Sequence, residues 1–266
     1  MKLTLKIWRQ PTADAPGKFE THHVTDANPE MTILELLDRL NNTLVSRGVE
    51  PVAFESDCRE GICGTCGITV NGRPHGPAAN TTTCQQHVRG FKDGATIQLE
   101  PFRSAAYPVV KDLIVDRSAL DRVIEAGGFV SVDAGTAPDA DTVQIPHDVG
   151  ETALNFAACI GCGACVAACP NGSGNLYTGA KLAHLSLLPH GQQERERRAH
   201  SMGAQADAEF GHCTLFGECA RVCPAEIPIT AVAALNHERL RGWAKRYRMP
   251  DDTKRTKPAH HGHEAE

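Results

Sequence analysis

Chemistry in this 266-residue chain concentrates in its 11 cysteines. Four of them lie in Cys159-Ile160-Gly161-Cys162-Gly163-Ala164-Cys165-Val166-Ala167-Ala168-Cys169-Pro170. This is a C-x2-C-x2-C-x3-C-P run, a spacing that serves iron–sulfur cubanes. Three thiolates on one tight loop can wrap three irons, and the small residues Gly161, Gly163 and Ala164 let the backbone come close. The fourth cysteine sits too far round the next turn and, in two-cluster proteins, serves the other cluster. The partner run is Cys213-Thr214-Leu215-Phe216-Gly217-Glu218-Cys219-Ala220-Arg221-Val222-Cys223-Pro224, with Phe216 where the middle cysteine would stand. Exchanging the two pre-proline cysteines assigns Cys159, Cys162, Cys165 and Cys223 to a 4Fe–4S cluster. Cys169, Cys213 and Cys219 remain, and three thiolates with a phenyl ring in the fourth corner predict a 3Fe–4S core. Phe216 is expected to offer no ligand there and to exclude water. A structural zinc site also uses four cysteines, but four within 11 residues, repeated, suit zinc poorly.

A third set lies upstream, in Cys58-Arg59-Glu60-Gly61-Ile62-Cys63-Gly64-Thr65-Cys66-Gly67. C-x4-C-x2-C is the plant-type 2Fe–2S spacing and requires one more cysteine downstream. Cys84 is the only cysteine between Cys66 and Cys159, so it completes the set and the cysteine count closes. Gly61, Gly64 and Gly67 are expected to free the loop backbone to donate amides to the sulfurs.

The elements that must position these loops can be read from periodicity. Leu3, Leu5 and Ile7 alternate with polar residues over 2–8, a half-buried strand, and 19–24 can return as its hairpin partner. Thr32-Ile33-Leu34-Glu35 is a capping box. Ile33, Leu36, Leu37, Leu40 and Leu44 follow at helical spacing and predict an amphipathic helix over 33–45, stopped at Gly48. Ile68-Thr69-Val70 with Asn71-Gly72 reads as a strand entering a tight hairpin, and 95–100 as a final strand. Residues 101–116 read as a linker, with Val109, Val110, Leu113 and Ile114 packed across the domain junction. Helices are expected over 117–126, 151–158, 163–168, 178–188, 192–200 and 228–246, with an exposed loop at 129–147. The fold class expected is α+β. An N-terminal β-grasp, plant-type 2Fe–2S ferredoxin domain (1–101) leads through a linker helix and loop (102–150) to an all-α, bacterial-ferredoxin-like domain with two clusters (151–249). A polar tail (250–266) reads as disordered, and its His260, His261 and His263 as a frayed end rather than a metal site.

Composition narrows the setting. No secretory signal opens the chain, and an odd number of cysteines argues for reduced thiols serving metal. No stretch approaches the roughly 18 apolar residues of a membrane span. A net charge of −5 leaves no nucleic-acid footprint. Glu194-Arg195-Glu196-Arg197-Arg198 reads as a solvated charged face. Arg239, Arg241, Lys245, Arg246 and Arg248, with Trp243 and Tyr247, read equally as a solvated face or a membrane-facing edge. Arg59 and Glu60 suit either a partner contact or a local salt bridge.

A 2Fe–2S set followed by one cubane run and one C-x5-C-x3-C-P run resembles the iron–sulfur subunit of succinate dehydrogenase and fumarate reductase. The linker Pro108-Val109-Val110-Lys111-Asp112-Leu113 shares the likeness, which spans roughly residues 1–245. The resemblance implies an electron wire. A FAD-containing flavoprotein subunit would oxidise succinate; electrons would enter at the 2Fe–2S cluster, pass the 4Fe–4S, and leave from the 3Fe–4S toward a membrane anchor and quinone, menaquinone among the candidates. It further implies a peripheral position on the cytoplasmic face of a bacterial plasma membrane. Three departures stand out. Seventeen residues separate Cys66 from Cys84, an enlarged loop containing Asn80-Thr81-Thr82-Thr83, and 128–150 is long. After Cys169-Pro170, where quinone-binding members carry a tryptophan pair, this chain has Asn171-Gly172-Ser173-Gly174-Asn175. That change points to a dihaem cytochrome b anchor, with haem b relaying electrons to a more distant quinone. The competing readings are an adaptor for another flavoprotein, which would lack the 2Fe–2S domain, and a cluster-based sensor, which would need an output element.

Overall fold

The computed structural model describes residues 1–131 and 143–248. The N-terminal half is a five-stranded mixed sheet carrying one long helix. Strand β1 (Leu3–Arg9) buries Leu3, Leu5 and Ile7 on one face, and β2 (Lys18–Val24) returns antiparallel, Leu3 opposite Val24 and Arg9 opposite Lys18. Helix α1 (Ile33–Ser46) starts at a complete capping box: the Thr32 amide donates to the Glu35 carboxylate (2.7 Å) and the Glu35 amide to the Thr32 hydroxyl (3.3 Å). Its buried stripe of Ile33, Leu34, Leu36, Leu37, Leu40 and Leu44 belongs to the same core as Leu5, Ile7, Ile97 and Leu99. Each such side chain contributes about 1.5–3 kcal/mol by leaving water. Strands β3 (Ile68–Val70), β4 (Arg73–Pro74) and β5 (Thr96–Pro101) complete the order β2-β1-β5-β3-β4. Only β1 and β5 run parallel. Short 3₁₀ turns at Thr83–Gln85 and Val88–Gly90 were not foreseen from periodicity, because three residues carry no period.

The linker is more ordered than its composition indicates. Strands β6 (Val109–Lys111) and β7 (Ile114–Val115) form a small hairpin. Its turn residue Asp112 is buried, accepting from the amides of Gln10 (2.8 Å) and Ala53 (2.9 Å) and lying 3.2 Å from the Arg9 guanidinium. Leu113 joins the N-terminal core and Val109 packs on the C-terminal one, as expected of a junction. Val110 is a correction: it is half exposed, because hairpin alternation turns it outward.

The C-terminal half is helical: α2 (Ser118–Glu125), α3 (His147–Ala157), α4 (Ala164–Ala168), α5 (Asn175–Leu187), α6 (Arg195–Glu209), α7 (Glu218–Arg221) and α8 (Thr230–Arg248). Helix α5 lies at the centre and packs on α3, α6 and α8. Several bounds differ from the sequence reading. Helix α3 opens earlier, directly after Pro146. Helix α5 opens at Asn175, whose amide donates to the Ser173 hydroxyl. Helix α6 runs on to Glu209 because its buried face continues through Ala199, Met202 and Ala206.

The charged run at 194–198 is a second correction. Arg198 is 1% exposed and Glu194 7% exposed. Arg198 donates to the carbonyls of Gly127, Gly191 and Phe129, each at 2.9 Å, and Arg195 pairs with Glu238 on α8. The turn after α2 and the turn before α6 bring those carbonyls inward, and a buried guanidinium answers them. The expected exposed loop is pinned at one end, where Ser131 donates its amide and hydroxyl to Glu194. Residues 132–142 of that loop lie outside the described residues, as does the tail with His260, His261 and His263. On α8, Arg239 pairs with Asp207, Arg241 approaches Glu238, and Trp243 is exposed.

Candidate redox centres

The 11 cysteines gather into three groups. In the N-terminal half, Cys58 faces Cys63, Cys63 faces Cys66, and Cys66 faces Cys84. Cys84 is delivered by the 3₁₀ turn at Thr83–Gln85, across the enlarged loop. The outer pair, Cys58 and Cys63, is partly exposed beside the exposed Ile62, whereas Cys66 and Cys84 are buried. The amides of Glu60 and Thr65 point at the sulfurs of Cys58 and Cys63, each at 3.4 Å. The glycines are thus not themselves these donors. Gly61 and Gly64 supply the left-handed turns (φ +81° and +74°) that aim their neighbours, and Gly67 makes room for the Phe102 ring, 2.9 Å from where a Cβ would lie.

In the helical half, Cys159, Cys162, Cys165 and Cys223 line one pocket, with Tyr177 and Ile227 on its walls. The Ile227 amide donates to the Cys223 sulfur at 3.4 Å, and Lys181 holds the Cys159 carbonyl at 2.6 Å. Cys169, Cys213 and Cys219 line a second pocket, also bounded by Pro170, Ser173 and Phe216. The Leu215 amide points at the Cys213 sulfur at 3.5 Å. Each pre-proline cysteine therefore lies with the other run's cysteines. Among the described residues no three Cys, His, Asp or Glu side chains close on a point suited to one metal ion. The sulfurs stand around a space instead, and that donor geometry fits a multi-iron core better than a single zinc.

Phe216 departs from expectation. It does line the cavity with the three cysteines, but it is 61% exposed and Leu215 is 69% exposed. The chain by itself does not seal that corner from water. Asn171 was read only as part of a missing aromatic wall; its amide donates to the His212 carbonyl (3.0 Å) and Thr214 hydroxyl (2.8 Å) and ties the two cysteine runs together. Arg59 pairs with Asp38 on α1, an ion pair from the cysteine loop to the helix rather than one within the loop.

Burial decides the charge of the free thiols. It pushes Cys66 and Cys162 up to about 12, and Cys165 well above its ordinary range. The backbone amide of Glu60 draws Cys58 down to about 7. Ligation needs thiolates, so loading the buried positions expels protons and is coupled to folding.

Two family models match in chain order: a 2Fe-2S iron-sulfur cluster binding domain over residues 4–122 and a 4Fe-4S dicluster domain over residues 155–227. The succinate dehydrogenase iron-sulfur subunit of Bacillus subtilis is 28% identical over 242 residues, covering 87% of this chain and 90% of the relative. In domain order and over most of its length the chain is similar to the iron–sulfur subunits of the succinate dehydrogenase and fumarate reductase family. The fumarate reductase iron-sulfur subunit of Wolinella succinogenes, a second relative, is 28% identical over 249 residues, covering 87% of this chain and 94% of its own. The fold is shared with a chain of the Mycobacterium smegmatis Sdh1 complex in the apo form, at a TM-score of 0.64 and 22% identity, over 92% of this chain and 97% of that one. Its two cluster-binding domains mark the chain as an electron-transfer component of an oxidoreductase. No helix among its described residues is long and apolar enough to cross a membrane.

Proposed function

We propose that the chain carries electrons from a FAD-containing flavoprotein that oxidises succinate to a membrane anchor serving quinone, with menaquinone among the candidates. In this reading a β-grasp ferredoxin domain, 1–101, holds a 2Fe–2S cluster on Cys58, Cys63, Cys66 and Cys84. The helical domain, 151–249, holds a 4Fe–4S cluster on Cys159, Cys162, Cys165 and Cys223. It also holds a 3Fe–4S cluster on Cys169, Cys213 and Cys219. What supports the reading most is the exchange of Cys169 and Cys223 between the two cavities. When bound, the clusters supply one-electron chemistry that no side chain offers. The chain's own residues set its conditions. Buried thiols exclude water, and amides of Glu60, Thr65, Leu215 and Ile227 favour the more negative, reduced sulfurs.

The exposed Leu215 and Phe216, beside the cavity of Cys169, Cys213 and Cys219, are the surface we assign to the anchor. Among the described residues, Phe216 is the only aromatic one lining that pocket. Quinone is accordingly placed farther off, behind haem b of a dihaem cytochrome b anchor, with the chain peripheral on the cytoplasmic face of the plasma membrane. Co-purification with a flavoprotein and a haem-bearing anchor is expected. Electron paramagnetic resonance of the oxidised, iron-replete complex should show a 3Fe–4S signal, lost in Phe216→Cys as a fourth iron enters. Cys84→Ser should alter only the 2Fe–2S signal. A wild-type complex without a 3Fe–4S signal would overturn the ligand assignment, and quinone packed against residues 170–175 would overturn the haem relay.

A further inference from the structure

The two loops assigned to the 2Fe–2S and 4Fe–4S clusters touch, and one side chain holds both. Arg117 precedes α2, in the segment that joins the two halves of the chain. Its Nη1 donates to the Gly64 carbonyl at 2.7 Å and to the Cys162 carbonyl at 2.8 Å. Its Nη2 donates to the Thr65 carbonyl at 3.1 Å and to Glu55 Oε2 at 3.2 Å. Gly64 and Thr65 lie between Cys63 and Cys66, and Cys162 lies in the cubane run. The contact is as close as backbone allows: a Cβ on Gly64 would fall 2.5 Å from the Ile160 carbonyl oxygen and 3.1 Å from the Cys162 amide nitrogen.

We propose that Arg117 is a positioning residue for electron passage between these two clusters: its fork fixes the gap between the loops, and its charge favours the reduced state of both cores. The proposal rests on the functional reading above. One electron leaves the first core, which is oxidised, and enters the second, which is reduced; no bond breaks and no proton is needed. Each core gains one negative charge when it is reduced, so a cation held at the seam stabilises the reduced form of each. A rigid fork is needed because three carbonyls on two loops must be held at once, and an ammonium cannot reproduce that plane. Glu55 opposes the effect, being the one anion paired with the guanidinium among the described residues. The pairing is only partly buried, with side-chain exposures of 17% for Arg117 and 40% for Glu55.

The experiment uses the intact complex carrying Arg117→Gln, Arg117→Lys or Glu55→Gln. Readouts are redox titration followed by electron paramagnetic resonance, and amide hydrogen exchange over residues 63–66 and 160–163. Arg117→Gln should move the 2Fe–2S and 4Fe–4S potentials negative, leave the third unchanged, and speed exchange in both loops. Arg117→Lys should keep the potentials near wild type while exchange still rises. Glu55→Gln should move both potentials positive. A merely structural arginine would not give opposite signs for Arg117→Gln and Glu55→Gln. Unchanged potentials in Arg117→Gln, or equal shifts of all three clusters, would overturn the proposal. If Arg117→Gln fails to assemble, the lysine and Glu55 variants decide by the same criteria. If the wild type shows neither cluster signal, the functional reading fails. The hold on the seam is then judged by exchange alone, and unchanged exchange in Arg117→Gln would reject it.

Discussion

The Thr82 hydroxyl lies 3.1 Å from the sulfur of Cys84, and both residues are buried. Thr82 belongs to the loop between Cys66 and Cys84, two residues before the cysteine it meets. When Cys84 is a thiolate, only the threonine can donate. A donor to a cluster sulfur stabilises the reduced state. Thr82→Val keeps the shape and removes the donor. The 2Fe–2S potential should then fall by some tens of mV, against about 59 mV for a tenfold change in a one-electron equilibrium. Redox titration of the variant checks it; an unchanged potential would show that the hydroxyl does not face the sulfur in the loaded protein.

Gly64→Ala should strain the seam between the two halves. Its φ of +74° disfavours a side chain by about 1–3 kcal/mol, and the new methyl would collide with the Ile160 carbonyl. A lower melting temperature and faster amide exchange at 160–163 are expected. Gly72→Ala is the control: its φ is similar, +76°, but nothing lies near the added methyl, so only the backbone strain should appear.

Arg198→Met should be among the most destabilising changes in the helical half. It leaves the carbonyls of Gly127, Gly191 and Phe129 without their donor and takes one cation from Glu194, which keeps Ser131 and Arg197 as partners. Removing one partner of a buried ionic node costs about 3–5 kcal/mol. Thermal or denaturant unfolding of the complex measures it. A near-neutral result would mean that water reaches those carbonyls.

His75 should make the N-terminal half acid-sensitive. Its ring is 1% exposed, its Nδ1 accepts from Thr83, and it meets the Phe102 ring edge-on at 5.3 Å. Burial, with the positive charge of Arg117 nearby, lowers it to about 4. The unfolded chain binds a proton near pH 6.5 and the folded one does not, so stability is full above that value and falls as pH drops toward 4. The loss across the window is about 3 kcal/mol, at 1.36 kcal/mol per unit. Unfolding midpoints measured from pH 7 to 4.5 should fall more steeply for the wild type than for His75→Gln. Parallel curves would place the acid sensitivity elsewhere.

The sequence by itself determined the local elements and the cysteine sets. The capping box at Thr32 and Glu35, the stripe of α1 and the alternation of β1 are written in periods of a few residues and needed no distant partner. The same holds for the pre-proline cysteines: a tight loop can converge only so many thiolates, so spacing implied an exchange between runs, and in the fold Cys169 and Cys223 do stand in each other's cavity. Tertiary structure decided what depends on residues far apart in the chain. Whether Arg198 faces water or three carbonyls depends on turns at 127–129 and 191. Asp112 is a buried anchor only because the amides of Gln10 and Ala53 converge on it. The place of Arg117 depends on two loops that the sequence separates by about a hundred residues and the fold brings into contact. Charge and hydrogen-bonding capacity are visible in a residue's type; the groups that will satisfy them are known only once the chain has closed on itself.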